Sequence, residues 1–217
     1  MKGRLFKISI LLVLAAVTAS VQASFVVETY SDGRGNANFS YPGGAPSYTT
    51  TVSPAIGCIG TKSAYGGNAA TDTYIFSYTP GLNADNYSIA AGTNLGNGNL
   101  ATGLVGGGSG LYNVYITWPS TNNVSGGLTK VTLTSAAGDI NLSFDQNGDA
   151  ANPGANKWML LSQVSLVQGV AYTVTMAPTT STFVSMRAQG VMWEAAVPEP
   201  ATMLLLGVGG LLLRRRR

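Results

Sequence analysis

The sequence predicts an all-β protein, a jelly-roll-like antiparallel β-sandwich, flanked by an N-terminal signal helix and a short C-terminal transmembrane helix. Three observations support this fold class. Several short stretches alternate apolar with polar residues, a period typical of strands with one buried face. Gly, Asn and Pro residues that form turns separate these stretches, and the chain has 28 glycines. No long stretch between the two ends has the period of a helix, so parallel βαβ units are not predicted.

Residues 1–23 have the three parts of a secretory signal peptide. Basic residues precede a run at 8–17 that is apolar except for Ser9, and small residues lead to a cleavage site before Ser24. We therefore expect signal peptidase to remove this segment, rather than a buried N-terminal helix to remain in the fold.

The charge of the chain is concentrated in its ends. The whole chain carries +3, whereas residues 24–197 contain five basic and eight acidic residues and carry −3. This balance, with no basic stripe, gives no support for nucleic-acid binding. The chain has no histidine, which excludes Ser-His-Asp triads, Cys-His dyads and His-ligated zinc.

The alternating stretches predict strands along residues 24–196. The second half is strongly patterned, whereas the first half, 24–108, is less regular. The glycine-rich segment 93–110 is either a linker between two units or a long loop in one sandwich, and we favour one domain. The predicted strands are 25–30, 48–52, 74–78, 87–90, 111–118 (Tyr112, Val114, Ile116 and Trp118 on one face), 129–134 (Val131, Leu133), 139–144 (Ile140, Leu142, Phe144) and 170–176 (Val170, Tyr172, Val174, Met176).

Residues 109–194 contain an ordered set of motifs. A Tyr-x-Val-Tyr-x-x-Trp-Pro strand at 112–119 precedes Phe-Asp-Gln at 144–146, a Trp-Met-Leu-Leu stretch at 158–161 and Gly-x-x-Tyr-x-Val at 169–174. This order resembles golvesin-type, carbohydrate-binding-like β-sandwich domains. Many of those domains carry an acidic residue before the last strand, but residues 185–190 here contain none. The resemblance implies a sandwich and a possible glycan ligand, and it leaves any role of that acid in doubt.

The C-terminal 21 residues have three parts in a fixed order. Val197, Pro198, Glu199 and Pro200 precede the apolar segment 201–213, and Arg214, Arg215, Arg216 and Arg217 follow it. This tail resembles the PEP-CTERM sorting signal. The resemblance implies a bacterial exported protein that an exosortase processes, located at the cell surface or in an extracellular matrix with polysaccharide or matrix proteins as partners.

The length of the apolar segment favours a removable tail over a lasting anchor. Thirteen helical residues rise only about 20 Å, whereas the hydrocarbon core of a bilayer is about 30 Å thick. The arginines are expected to stay cytoplasmic, so the sandwich faces outward and contacts the membrane only transiently.

Candidate chemistry in residues 24–196 is sparse. Paired carboxylates could hydrolyse glycosides, with Asp72, Asp85, Asp139, Asp145 and Asp149 as candidates, but their spacing does not place two across a cleft. Asp145, Asn147 and Asp149 form a weak calcium candidate, although the loop lacks the glycine and the final Glu of an EF-hand. We favour a hairpin turn there, and no cofactor is predicted beyond this possible calcium.

Aromatic side chains are the usual platforms for sugar rings. Trp118 and Trp158 are expected in the core, whereas Tyr48 and Tyr65 lie in polar stretches and are weak candidates for glycan contact. Cys58 is the only cysteine, and we favour a buried, inert thiol over an intermolecular disulfide.

These observations favour a non-enzymatic matrix protein of the bacterial surface. The alternatives are a carbohydrate-binding module with a specific glycan ligand and, more remotely, a glycosidase or lyase that uses carboxylates.

Overall fold

The computed structural model describes residues 24–44, 46–66, 71–121, 127–146, 154–179 and 186–196. The predicted signal helix and transmembrane helix lie outside these ranges. Within them there is a single short 3-10 turn, Asn36–Asn38, and no helix that is long and apolar enough to cross a membrane. The strands are β1 (Ser24–Glu28), β2 (Phe39–Ser40), β3 (Ser47–Thr49), β4 (Ser63–Gly66), β5 (Tyr74–Tyr78), β6 (Asn94–Gly96), β7 (Asn99–Leu100), β8 (Gly110–Thr117), β9 (Thr129–Leu133), β10 (Ile140–Phe144), β11 (Met159–Leu166), β12 (Tyr172–Pro178), β13 (Met186–Ala188) and β14 (Gly190–Ala195).

The strands form an antiparallel β-sandwich, which confirms the predicted fold class. The first sheet has the order β1-β14-β8-β11, and the second has the order β10-β9-β12-β5-β2. A small sheet, β13-β4-β3, and the hairpin β6-β7 complete the described strands. Strands from residues 24–108 pair in both main sheets with strands from the second half, since β1 pairs with β14 and β5 with β12.

The main core lies between the two large sheets. The alternating faces predicted from the sequence meet there, because a two-residue period places every second side chain on the same side of a strand. Val170 is the exception: it is 46% exposed, because β12 begins only at Tyr172. The buried members of the predicted faces are Tyr112, Val114, Ile116, Trp118, Val131, Leu133, Tyr172, Val174 and Met176, with Ile140, Leu142 and Phe144 partly buried against them.

The first sheet is buried on its outer face too, which the sequence did not predict. Tyr115 and Met192 point away from the main core and pack with Trp158 and Leu95 in a second buried cluster. The glycine-rich segment therefore packs against the sheet and contains the hairpin β6-β7. The strand predicted at 87–90 is wrong, because only an isolated bridge joins Tyr87 to Ser24.

The sandwich has two ends with different roles in the chain. At one end β14 finishes at Ala195, which pairs with Tyr112 near the start of β8, and it lies beside the start of β1, since Ser24 pairs with Glu194. We call it the tail pole, because the sorting tail follows from it. The opposite end, the distal pole, contains the first residue of β5 (Tyr74), the end of β10 and the small sheet.

Candidate functional site

Three tyrosines and an aspartate lie at the distal pole. Tyr41 follows β2, which pairs with β5, and this pairing brings it beside Tyr74. Asp72 lies two residues before Tyr74, the first residue of β5, and Tyr65 lies on β4 next to Gly66. We call Tyr41, Tyr65, Asp72 and Tyr74 the tyrosine–aspartate cluster, since three separate segments bring aromatic rings and a carboxylate to this pole.

Hydrogen bonding and close packing fix the geometry of this cluster. The Tyr41 hydroxyl donates to Asp72 Oδ1 at 2.5 Å, and this bond to a carboxylate raises the pKa of Tyr41 to about 12. The ring centroids of Tyr41 and Tyr74 are 5.5 Å apart. A Cβ at Gly66 would stand 2.7 Å from the Tyr74 hydroxyl and 3.1 Å from Asp72 Oδ2, so only glycine permits this approach. Tyr41 and Asp72 are therefore held in place against the fully buried Tyr74 ring.

Tyr65 gives the cluster its solvent-facing ring, on the face of β4 opposite to the one that Gly66 turns towards Tyr74. Its side chain is 42% exposed, and its register partner on β13 is Arg187, whose side chain is buried. Burial lowers the pKa of the Arg187 guanidinium. An exposed aromatic ring beside polar side chains is the arrangement that binds the apolar face and the hydroxyls of a sugar.

The second predicted tyrosine, Tyr48, lies on the opposite face of the small sheet. Tyr48 pairs with Ala64, whereas Tyr65 pairs with Ser47, so the two rings point to different sides. The Tyr48 hydroxyl donates to the Thr29 carbonyl at 3.0 Å, and its ring packs edge-on against Tyr30 at 4.9 Å. The structure thus does not bring Tyr48 and Tyr65 together as one platform.

A shallow groove lies on the outer side of the first sheet. Its cavity volume is about 290 Å³, and its walls are residues 54–56, 94–96 and 156–157. Asn94, Asn156 and Lys157 are the polar side chains of this lining, and Trp158 beneath it bonds to both walls through Ile56 and Leu95. The sequence did not indicate this groove, because its walls come from three distant segments.

The candidate catalytic and metal-binding carboxylates are spread over the molecule. Asp72 lies at the distal pole, whereas Asp85 lies near the tail pole and accepts a hydrogen bond from the Gly106 N–H at 2.8 Å. Asp139 is exposed in the turn before β10, and Asp145 follows that strand. Asn147 and Asp149 lie outside the described residues, so the calcium candidate remains a prediction. Among the residues that are described, no group of three or more acidic or cysteine side chains is placed to hold a metal ion.

A buried carboxylate that the sequence analysis missed lies at the end of β1. Glu28 is fully buried and accepts hydrogen bonds from the backbone N–H groups of Arg34, Ile59 and Gly60 at 2.8–3.2 Å. The Gln189 side-chain amide donates to the same carboxylate at 3.0 Å. Gln189 lies in the stretch 185–190, which contains no acidic residue. Its neutral amide is a donor to Glu28, and the Glu28 carboxylate has a structural role.

Glu194 is a second buried carboxylate, with a different environment. It accepts a hydrogen bond from the Thr102 N–H at 2.8 Å, and the Tyr115 hydroxyl lies 3.4 Å from its other oxygen. Burial raises the pKa of this side chain above its usual value. The folded protein therefore holds the Glu194 proton more tightly than the unfolded chain, so this group's contribution to stability falls as pH rises from the unfolded pKa through the folded one.

We expect Glu194→Gln to stabilise the protein at neutral pH, on the order of 1 kcal/mol. Glutamine keeps an acceptor for the Thr102 N–H but removes the buried negative charge. Urea unfolding at pH 7 and at pH 3.5 measures the effect. The gain should shrink at the lower pH, where the wild-type carboxyl is protonated. A variant that is less stable than wild type at pH 7 would contradict this prediction.

Cys58 is half-buried beside the second cluster. Burial and the nearby Glu28 raise the pKa of the thiol well above its usual value. The thiolate, which is the reactive form, is therefore disfavoured at neutral pH. The raised pKa agrees with the predicted inert thiol, although Cys58 is less buried than the sequence analysis predicted.

Comparison with solved structures supports the sandwich fold. The chain is similar to part of a Paenibacillus xanthan lyase, with 18% identity and a TM-score of 0.55 over 83% of this chain and 14% of the lyase chain. A CBM35 module of Cellvibrio japonicus Abf62 matches at 14% identity and a TM-score of 0.43, over 81% of this chain and 95% of the module. The CBM35 module of a protein termed Xyl, solved with a disaccharide containing glucuronic acid, matches at 13% identity and a TM-score of 0.35, over 73% of this chain and 98% of the module.

The chain spans about one seventh of the xanthan lyase, so the likeness concerns a fold and not that enzyme's activity. A comparison with curated protein sequences finds no match. The profile of the PEP-CTERM protein-sorting motif matches residues 196–217, in agreement with the tail predicted from the sequence. The chain therefore carries the PEP-CTERM motif, which marks proteins that are exported and sorted to the cell surface or extracellular space through an exosortase.

Proposed function

We propose that the protein is a non-enzymatic component of an extracellular polysaccharide matrix and contacts polysaccharide through the tyrosine–aspartate cluster. The exposed Tyr65 ring, at the same pole as the Tyr41–Asp72 pair, carries this proposal. A ring face packs on the C–H groups of a sugar, and the carboxylate accepts hydrogen bonds from its hydroxyls.

The position of the cluster supports the same function. It lies at the distal pole, whereas the sorting tail leaves from the opposite end of the sandwich. A chain held at the membrane by its tail would therefore present Tyr65 away from the cell. The polysaccharide of a surrounding matrix is the polymer that an outward-facing surface of this kind meets.

The described carboxylates support a non-catalytic role. Glycosidases place two carboxyl groups across one bond, about 5–9 Å apart. Asp72 and Asp85 lie towards opposite poles of the sandwich, and each accepts a hydrogen bond from a neighbouring group of the chain. Glu28 is enclosed by its four donor groups.

We expect Tyr65→Ala to weaken polysaccharide binding about tenfold, the effect of losing one aromatic contact of roughly 1.4 kcal/mol. Co-sedimentation of the protein with the extracellular polysaccharide of an exosortase-bearing bacterium measures the binding. Tyr65→Phe keeps the ring and should bind like wild type. Leu82→Ala, an exposed change at the tail pole, is the matched control. Equal binding by Tyr65→Ala and wild type would contradict this site.

The polar lining of the groove supports a second candidate function, the binding of one defined glycan. Its Asn94, Asn156 and Lys157 side chains could fix the orientation of a short oligosaccharide. Saturable binding on a glycan array that Lys157→Ala abolishes, while Tyr65→Ala leaves it intact, would support this candidate. The opposite pattern would support the cluster.

A further inference from the structure

The tail pole exposes large apolar side chains. Leu82 is 78% exposed, Val105 51%, Val170 46% and Val167 45%. We call these four residues the apolar rim. Each lies in a turn or loop at the pole where the chain leads into the sorting tail, as the following contacts show.

Hydrogen bonds join the loops that carry the apolar rim. The Gly169 N–H donates to the Pro80 carbonyl at 2.8 Å, which places the Val167–Val170 turn beside the Leu82 turn. The Gln168 N–H donates to Ser109 Oγ at 2.9 Å, which joins the same turn to the glycine-rich segment. In that segment Leu104, next to Val105, forms a bridge with Ala195. The rim is thus held around the last residues of β14.

The sorting tail keeps this pole close to the membrane. The Ala196 N–H donates to the Leu111 carbonyl at 2.8 Å, so the chain is fixed to the sandwich up to that residue. Five residue steps separate Ala196 from Ala201, the first residue of the apolar segment. Five steps span at most about 18 Å when fully extended. The rim therefore cannot move far from the bilayer surface while the tail is intact.

The apolar segment is itself short for a bilayer. Its thirteen residues fall about 10 Å short of the hydrocarbon thickness when helical. A span of this kind is accommodated by local thinning of the bilayer and by drawing flanking residues into the interface. Both responses bring the tail pole and the membrane together.

The second membrane-directed segment leads to the same pole. Ser24, the residue that follows the predicted signal peptide, pairs with Glu194 at the end of β14. Both targeting segments of the sequence thus join the sandwich at one end. The membrane is therefore adjacent to the rim before and after signal-peptide cleavage.

Charge at the tail pole favours an apolar contact over an electrostatic one. Asp85 accepts a hydrogen bond from the N–H of Gly106, the residue after Val105, and Asp139 is exposed just before β10. Lys130 lies at the start of β9, towards the distal pole, and Lys157 lines the groove. Attraction to anionic lipid headgroups would need basic side chains at this surface.

We propose that the apolar rim rests in the interface of the phospholipid bilayer as long as the sorting tail is uncut, and so orients the sandwich with its distal pole outward. Burial of four aliphatic side chains at about 25 cal/mol per Å² provides a weak contact. The tether makes that contact effective, because the rim is already confined to the surface. After cleavage the same weak contact no longer retains the protein.

Depth-dependent quenching tests this proposal on the full chain reconstituted in phosphatidylcholine vesicles. In a Cys58→Ser background, Val170→Cys carries an environment-sensitive fluorophore, and the lipids carry spin labels near the headgroup. Leu128→Cys is the matched control, because Leu128 is 43% exposed at the distal pole. We expect at least twofold stronger quenching at position 170 than at position 128.

A variant of the apolar rim tests whether the rim contacts the lipid or only lies near it. Leu82→Asp with Val105→Asp should reduce the quenching at position 170 to the level of the control, and its melting temperature should stay unchanged because both side chains are exposed. Leu128→Asp should leave the quenching as it was. Equal quenching at positions 170 and 128 in the parent chain would overturn the proposal. Quenching that is absent while fluorescence rises with protein concentration would overturn it too, in favour of a second copy as the occupant of the rim.

Discussion

Glu28→Ala is expected to destabilise the sandwich by about 4 kcal/mol, because it leaves several buried donors without an acceptor. The carboxylate receives the backbone N–H groups of Arg34, Ile59 and Gly60 and the side-chain amide of Gln189. Each unsatisfied buried donor costs about 1–3 kcal/mol, and water entering the site offsets part of the sum. For a chain of this size the melting temperature should fall by roughly 8–16 °C. Calorimetry or circular dichroism measures that shift.

Two further variants test whether lost hydrogen bonds cause the loss of stability in Glu28→Ala. Glu28→Gln keeps one acceptor oxygen and should lose about half as much stability, since its amide group faces donors. Asp139→Ala removes an exposed carboxylate and should change the melting temperature by no more than a degree or two. Equal melting temperatures for Glu28→Ala and wild type would show that the loops around residues 34 and 59 do not depend on this carboxylate.

The strands of the second half of the chain could be predicted because their pattern is local. In β9 and β12 every second residue is buried, and all of these buried residues except Thr129 are apolar and lie between the sheets. Val170 fits the same alternation and was predicted to be buried. It is exposed because the turn at Gly169, with φ of 80°, reverses the chain before β12 begins. A turn of this kind determines the first residue of the strand. The alternation of apolar residues does not show where that turn lies.

The second buried cluster could not be predicted, because it depends on distant segments. Tyr115 and Met192 face outward from the first sheet and would be exposed if the sheet stood alone. Residues 53–58 and 87–101 cover them, and those segments have no regular period. The strand predicted at 87–90 falls in one of these segments. The structure has a packed loop there, joined to β1 by a single bridge.

The sequence predicted only part of the candidate site. Tyr65 was selected because it lies in a polar stretch, and the structure places it in solvent. Tyr48 was selected for the same reason but packs against Tyr30, since register and not composition decides the face of a strand. The contact between Tyr41 and Asp72 joins residues 31 positions apart and has no local pattern. The role of Glu28 was also missed, although a lone acid at the end of the apolar strand β1 is the kind of residue that marks a buried polar site.

The second large effect is expected at Trp158, which joins the outer layer to the first sheet. Trp158→Ala should destabilise the protein by about 4 kcal/mol, the usual cost of truncating a fully buried tryptophan. The side chain is completely buried, and its Nε1–H donates to the Ile56 carbonyl at 2.8 Å. The Trp158 N–H also donates to the Leu95 carbonyl at 3.0 Å. Loss of the ring should therefore free the walls of the groove before it affects the main core. Urea unfolding measures the total, and hydrogen exchange locates it.

Trp158→Phe separates packing from the hydrogen bond, because it keeps most of the apolar ring and loses only the bond to Ile56. It should cost about 1–2 kcal/mol. In Trp158→Ala, exchange should rise at residues 54–58 and 94–101 and stay low in β9 and β12, whose side chains pack in the other core. Binding at the groove would then be lost while binding through Tyr65 persists. Equal acceleration of exchange in both clusters would show that the two cores unfold as one unit, and that the outer layer is not an independently weakened part of the sandwich.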